Sequence, residues 1–234
     1  MKPFDAFTSI LTVDPQVSLE NQFEADQHLV ALLSEESLII RAWPTHGIIL
    51  GKLDTVLPGF TDGEAFLRKQ DWPILIRKAG GLGVVCDEGV LNLTFLLSKH
   101  HPTYGGLHAS YTLAVELLSQ CLSVLNLPIE VKAVPQSYCP GDYDLSVNGK
   151  KFAGIAQFRS KEAVMVMATL AVNGNQALRC ELMKGFYDRA NTRRDSTYPD
   201  IDSNVMSTLS DLSGQAWSVE SLWEHIQSVI DSRE

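Results

Sequence analysis

One dipeptide constrains the fold of this chain more than any other feature: Asn148-Gly149, set between the runs Tyr143–Val147 and Lys150–Phe158. Asn and Gly reach positive φ at little steric cost, and the two-residue turn they form has the twist that antiparallel partners require. A β-hairpin is therefore predicted over residues 143–158. Strand alternation then puts the ammonium groups of Lys150 and Lys151 on opposite faces, one of them turned inward.

Further runs of β-branched and apolar residues read as strands: Ser37–Trp43, His46–Gly51, Pro73–Arg77, Ile129–Val134 and Ala163–Val172, the last closed by Asn173-Gly174-Asn175. Val84–Cys86 and Val90–Leu97 are expected to pair as a second hairpin across Asp87-Glu88-Gly89. Leu19, Phe23, Val30 and Leu33 recur at helical spacing behind a capping Ser18, which predicts a helix over 18–34. The strongest helix is predicted over His108–Leu125, where Ala114, Leu117, Leu118, Cys121 and Leu125 make one apolar stripe and Pro128 ends it. Pro58–Asp62 reads as loop and Gly63–Gln70 as a short helix. Ala190–Asp202 is polar and is expected to cross the surface. Ser218 then caps a last helix with Val219, Leu222, Ile226, Val229 and Ile230 on one side. Strands in runs with segregated helices predict an α+β fold in one domain over 1–234, with a C-terminal helical segment from about 203 to 234.

Apolar residues make up 45% of the 234, enough for a full core. The 19 Lys and Arg stand against 28 Asp and Glu, a formal net charge of −9. That balance argues against a general nucleic-acid or anionic-membrane binder, which needs clustered positive charge. No apolar run reaches the ~18–20 residues that span a bilayer. Met1-Lys2-Pro3-Phe4-Asp5 lacks the apolar stretch of a secretory leader, so a cytoplasmic protein is expected. The four cysteines include no CxxC pair, and the six histidines show no HxxxH or HExxH spacing. Neither a metal site nor a disulfide framework is predicted.

Two segments carry candidate chemistry. Gly80, Gly81 and Gly83 leave a turn with little side-chain bulk, which either lets a ligand approach N–H donors or is a tight turn and nothing more. No Gly-Lys-Ser/Thr follows, so it is not a P-loop, and strand rather than helix follows, so it is not a dinucleotide fingerprint. Cys139 lies in Ser137-Tyr138-Cys139-Pro140-Gly141, a loop between two strands where reactive groups are often placed. A free cysteine is either a nucleophile activated by a nearby cation, for which Lys151 is a candidate, or an inert small hydrophobe. Cys121 on its helical stripe fits the inert reading, as do Cys86 and Cys180 beside apolar segments. Asp87-Glu88 reads as a polar turn and His100-His101 as a solvated loop.

Several separated segments, in one order, resemble the lipoyl/octanoyl-transfer branch of the biotin and lipoate protein ligase superfamily. They are Ile76-Arg77-Lys78-Ala79-Gly80-Gly81-Leu82-Gly83-Val84-Val85, Asp87-Glu88-Gly89-Val90-Leu91-Asn92, Ser137-Tyr138-Cys139-Pro140-Gly141-Asp142-Tyr143-Asp144-Leu145, and Asn148-Gly149-Lys150-Lys151-Phe152-Ala153-Gly154-Ile155-Ala156-Gln157. Tyr198-Pro199-Asp200-Ile201 resembles a further family segment, and the similarity spans roughly 41–225. The resemblance implies a mixed β-sheet flanked by helices. It implies movement of an octanoyl group from octanoylated glycine-cleavage H protein to lipoyl domains of 2-oxoacid dehydrogenase complexes, with no cofactor. It makes Cys139 the acyl-thioester nucleophile and Lys151 the lysine that lowers its pKa. Arg77, Gly80, Gly81, Leu82, Gly83, Asn92 and Gly154 fall on the substrate side. Val84, Val85, Leu91 and Leu93 are candidates for the acyl slot as well as ordinary core residues. A positive patch including Lys78, Arg159 and Lys161 is expected to meet acidic lipoyl domains. Lys78-Ala79 departs from the Asn-Ser often found in the family, and the N-terminal part is shorter than in many relatives. An ATP-dependent lipoate–protein ligase, an octanoyltransferase fed by acyl carrier protein, and an inactive lipoyl-domain binder are the alternatives.

Overall fold

The Asn148-Gly149 turn forms as its residues demand, with φ of 51° and 75°. It belongs to a computed structural model that describes residues 3–14 and 18–232. Met1 and Lys2 of the opening segment, and residues 233–234 of the expected C-terminal helical segment, lie outside the described residues. The elements run β1 (Ser9–Val13), α1 (Gln22–Val30), β2 (Ser37–Ala42), β3 (Gly47–Leu50), α2 (Lys52–Thr55), α3 (Phe60–Arg68), β4 (Ile74–Ile76), β5 (Val84–Cys86) and β6 (Val90–Ser98). They continue with α4 (Leu107–Cys121), β7 (Ile129–Val131), β8 (Leu145–Val147), β9 (Lys150–Arg159), β10 (Ala163–Ala171), α5 (Gln176–Ala190), α6 (Leu209–Ser213) and α7 (Val219–Asp231).

Seven strands form the larger sheet in the order β1-β2-β6-β10-β9-β8-β7, and β4-β3-β5 form a smaller one. The fold is α+β, and both sheets are mixed: β1 runs parallel to β2 and β4 parallel to β3, while the other pairs are antiparallel. One predicted pairing is corrected. β5 and β6 are strands but not a hairpin, because β5 pairs with β3 while β6 lies between β2 and β10. The turn between them is pulled outward. The Asp87 carboxylate binds the Arg179 Nε at 2.8 Å, and the Gly89 carbonyl accepts the amides of Val172 and Asn173. Both strands are buried on both faces, so alternation along them does not choose a partner.

Helices cover the sheets by apolar faces. Leu113, Leu117 and Leu118 of α4 join Leu222, Ile226 and Ile230 of α7 against Phe95 and Val166 of the larger sheet. Phe23 and Leu29 of α1 pack on its opposite face against Ile39, Leu96 and Met165. Leu67 of α3 and Met183 and Phe186 of α5 close over Ile48, Leu50 and Val85 of the smaller sheet. Those of these side chains that are fully buried contribute about 1.5–3 kcal/mol each, and the half-buried Phe23 and Leu29 less. The helix predicted over 18–34 is a 3-10 turn at Leu19–Asn21 followed by α1. α3 begins at Phe60, earlier than predicted. α4 passes into a 3-10 turn that stops at Leu125 because Asn126 takes φ 51°, ahead of Pro128. Ser218 caps the last helix as predicted, accepting from the Ser221 amide, and Ser221 completes a capping box. Among the described residues no helix is long and apolar enough to cross a membrane.

Candidate active site

The glycine-rich turn hangs between β4 and β5 of the smaller sheet. Its neighbours across the seam are β9 and the loop leading into β8 of the larger one. The Gly80 amide reaches the Gln157 carbonyl of β9 at 3.4 Å, and the Arg77 amide donates to the Leu50 carbonyl at 2.8 Å. Gly81 has φ +90°, and a Cβ there would stand 2.7 Å from Arg77 Nη2 and 3.0 Å from Cys139 Sγ. A side chain at 81 therefore meets both backbone strain and the two groups that matter most, whereas a Cβ at Gly80 would meet nothing within 4 Å.

A buried polar relay steadies this turn from behind. The Gly83 amide donates to Tyr187 Oη at 3.2 Å, Tyr187 donates to Asp54 Oδ1 at 2.8 Å, and Asp54 Oδ2 accepts the Gly51 amide at 2.7 Å. Burial pushes the Asp54 carboxyl up to about 6, against the lowering effect of the Tyr187 and Gly51 donors. Burial, followed by the facing Asp54 charge, drives the Tyr187 phenol well above its ordinary value.

Cys139 stands opposite the turn. Ser137 anchors its loop, with backbone N–H and Oγ both donating to the Val134 carbonyl. Gln176 Nε2 donates to the buried Tyr138 hydroxyl at 3.1 Å. Cys139 itself takes φ 47°, a left-handed conformation that costs an ordinary side chain about 1–2 kcal/mol. Its half-buried sulfur accepts the Leu82 amide at 3.2 Å and Arg77 Nη2 at 3.7 Å, and the same Nη2 holds the Leu82 carbonyl at 2.9 Å. A thiolate accepts such donors more strongly than a thiol does, and a cation beside it stabilises the anion. The other three cysteines are buried, and burial pushes their thiols up: Cys86 and Cys180 to about 11 and Cys121 to about 12.

Lys150 is exposed and Lys151 is buried, as alternation predicts. The Lys151 ammonium donates to the Tyr138 carbonyl at 3.1 Å and the Cys139 carbonyl at 2.6 Å, and pairs with Asp144 Oδ2 at 3.0 Å. Neither of its hydrogen bonds goes to the Cys139 sulfur. The cation on the sulfur is thus Arg77, while Lys151 grips the backbone of the Cys139 loop. Burial raises the Asp144 carboxyl, with the Lys151 charge as the main opposing effect. Gly154 makes room for this pair, since a Cβ there would stand 3.3 Å from both Cε and Nζ of Lys151.

Asn92 lies behind the site, fully buried, accepting the Thr169 hydroxyl at 2.8 Å and facing the Cys86 sulfur. Thr169 lines two small cavities. One of about 20 Å³ is walled by Val84, Val90, Tyr138, Lys151 and Gly154; the other, about 40 Å³, by Phe23, Trp43, Ile49, Leu75 and Arg77. Val84 thus lines a cavity, whereas Val85, Leu91 and Leu93 have no exposed surface and pack in the core. Of the expected positive patch, Arg159 is tied to the Gly105 carbonyl at 2.6 Å and Lys78 lies over the Phe23 ring. Sequence reading passed over Asp144, Asp54 and Tyr187. The hairpin carried a signal for the first: Asp144 precedes by two the residue paired with Lys151, Ser146. The other two meet only through the tertiary fold.

The chain matches the family model of the lipoyl protein ligase A/B catalytic domain over residues 18–231. It is 37% identical over 214 residues to the lipoyl-[GcvH]:protein N-lipoyltransferase of Listeria monocytogenes serovar 1/2a, covering 88% of this chain and 76% of that one. It is 34% identical over 223 residues to the octanoyl-[GcvH]:protein N-octanoyltransferase of Geobacillus kaustophilus, covering 92% and 78%. With the octanoyl-[GcvH]:protein N-octanoyltransferase of Macrococcus caseolyticus identity is 41% over 186 residues, 78% of this chain and 67% of that one. In fold it is similar to lipoate-protein ligase A bound with ATP, with a TM-score of 0.70 at 14% identity over 97% of this chain and 85% of that one. A lipoate protein ligase from Thermoplasma acidophilum, solved with its E2 lipoyl domain, gives 0.66 at 16% identity over 96% and 83%.

Proposed function

The chain belongs to the lipoyl protein ligase A/B catalytic domain family, and from that premise we propose that it is an octanoyltransferase of protein lipoylation. The donor is octanoylated glycine-cleavage H protein, the partner written into the names of the transferase relatives. The acceptor is the lipoyl-domain lysine of 2-oxoacid dehydrogenase subunits, in the cytoplasm. Donor and product are both lysine amides, so the exchange is close to isoenergetic and the obstacle is kinetic. A covalent intermediate divides it into two easier steps.

In this reading the Cys139 thiolate attacks the donor amide carbonyl. The C–N bond breaks, the departing lysine nitrogen takes up a proton, and a thioester to Sγ remains. The acceptor lysine amine then attacks that thioester. The C–S bond breaks, the nitrogen gives up a proton, and the thiolate returns. Arg77 and the Leu82 amide hold negative charge on sulfur at the start and end of the cycle. The observation that carries the proposal is their convergence on the one half-buried thiol of the four.

Incubation with octanoylated H protein in the absence of ATP is expected to give an octanoyl adduct on Cys139, seen by intact mass and removed by hydroxylamine. A requirement for ATP and free acid indicates a ligase instead, loading only from octanoyl-acyl carrier protein indicates the sibling transferase, and no adduct from any donor indicates a binding protein. The name of the Listeria relative favours a second cargo, lipoyl. Competition between octanoylated and lipoylated H protein decides which acyl group Cys139 accepts faster.

A further inference from the structure

The Lys151 ammonium makes no hydrogen bond to the sulfur, yet it holds two consecutive carbonyls of the loop that carries it, those of Tyr138 and Cys139. Asp144 holds that ammonium in turn. Its side chain is 1% exposed, and an unpaired buried charge at either position is strongly disfavoured, so each of the pair depends on the other. Asp144 is itself fixed from several directions. Its carboxylate accepts the Gly141 amide at 3.0 Å, its own amide donates to the Gly141 carbonyl at 3.0 Å, and its carbonyl accepts the Lys132 amide at 3.1 Å. These bonds close the turn after Pro140 and tie it to the strand side of the hairpin. A non-glycine residue at φ 47° persists only where its surroundings over-determine it, and this clamp is what the surroundings of Cys139 provide.

We infer that Asp144 is a positioning residue: through Lys151 it holds the Cys139 peptide in the left-handed conformation that brings the sulfur to the Leu82 amide and Arg77. The inference rests on the reading of Cys139 as nucleophile and changes the task of Lys151 within it, from a charge acting on the sulfur to a clamp acting on the backbone.

With Lys151 protonated, the two tasks predict opposite signs for Asp144→Asn. If Lys151 acts on the sulfur by its charge, removing the neutralising carboxylate leaves the surroundings more positive, and the pH midpoint for alkylation of Cys139 by iodoacetamide falls. If the pair is a clamp, the loop relaxes away from Leu82 and Arg77 and the midpoint rises. The clamp predicts a rise of about one pH unit and a fall of about tenfold or more in the rate of octanoyl adduct formation. An unchanged or lowered midpoint in a variant with native circular dichroism overturns the inference. A buried Lys151 stripped of its carboxylate and deprotonated would also raise the midpoint, by loss of charge alone, so Gly154→Ala decides whether or not Asp144→Asn folds. It displaces the ammonium by a few tenths of an ångström without changing any charge, and the clamp predicts a smaller rise in the midpoint. A folded Gly154→Ala protein that matches the wild-type profile overturns it. Failure of the underlying reading is separate, because it appears as full transfer activity in Cys139→Ser whatever the alkylation profiles do.

Discussion

Cys139 and Cys86 pack in the same apolar cluster, yet one is presented for chemistry and the other is shut away. Cys86 has no exposed surface, faces the amide of Asn92, and has its thiol pushed up to about 11 by burial. Cys139 keeps an open side, takes two donors on sulfur, and is held at a φ that cysteine seldom adopts. The difference lies in the backbone. Cys86 follows a regular strand whose sides are packed, whereas Cys139 rides a left-handed kink that lifts the sulfur out of the apolar layer towards the glycine-rich turn.

The sharpest way to break this contrast is to remove each sulfur in turn. Cys139→Ser is expected to lower transfer by at least about a thousandfold. Cys86→Ala is expected to leave the rate within about twofold while costing about 1–2 kcal/mol in denaturant unfolding. Equal losses of activity would erase the distinction. Next in size is a pair of glycines. Gly81→Ala is expected to reduce adduct formation by roughly a hundredfold, because its Cβ intrudes on Sγ and Arg77. Gly80→Ala, with open space around it, is expected to stay near wild type; single-turnover rates on the two variants test this.

Arg77→Met sharpens the electrostatic side. Loss of the cation on Sγ is expected to slow adduct formation about tenfold, read from single-turnover rates. The smallest effect concerns the relay behind the turn. Asp54 titrates at about 6 in the folded protein, above the ordinary carboxylate value of 3.8. The fold therefore binds the extra proton, and the stability from this group is full below about pH 4 and lost as pH rises through about 6. Tyr187→Phe removes a donor to the ionised carboxylate. Its destabilisation is expected to be about 1–2 kcal/mol larger at pH 8 than at pH 5, read from urea midpoints at the two values. A gap that narrows with rising pH would show that Tyr187 does not stabilise the Asp54 anion.

Much of the fold and part of the site were legible in advance. The Asn148-Gly149 turn, the opposite facing of Lys150 and Lys151 and the apolar face of α4 each follow from periodicity over a few residues, because turn chemistry and side-chain alternation are local. α5 was not legible, since Arg179, Cys180, Leu182, Met183, Phe186 and Tyr187 are buried on several sides and leave no single stripe to read. The mistaken β5–β6 hairpin has a related cause: strands apolar throughout match more than one partner, and the choice fell to Arg179 drawing Asp87 away.

Sequence alone determined which residues were available for chemistry: a cysteine before Pro-Gly, a lysine alternating inward beyond a two-residue turn, and a run of glycines after a strand. Tertiary structure decided how they were joined. It put Arg77 rather than Lys151 on the sulfur, gave Lys151 to Asp144 and two loop carbonyls, and set Tyr187 and Asp54 behind the turn. Hydrogen bonds act over about 3 Å, and only the folding of two sheets against each other brings groups tens of residues apart within that range.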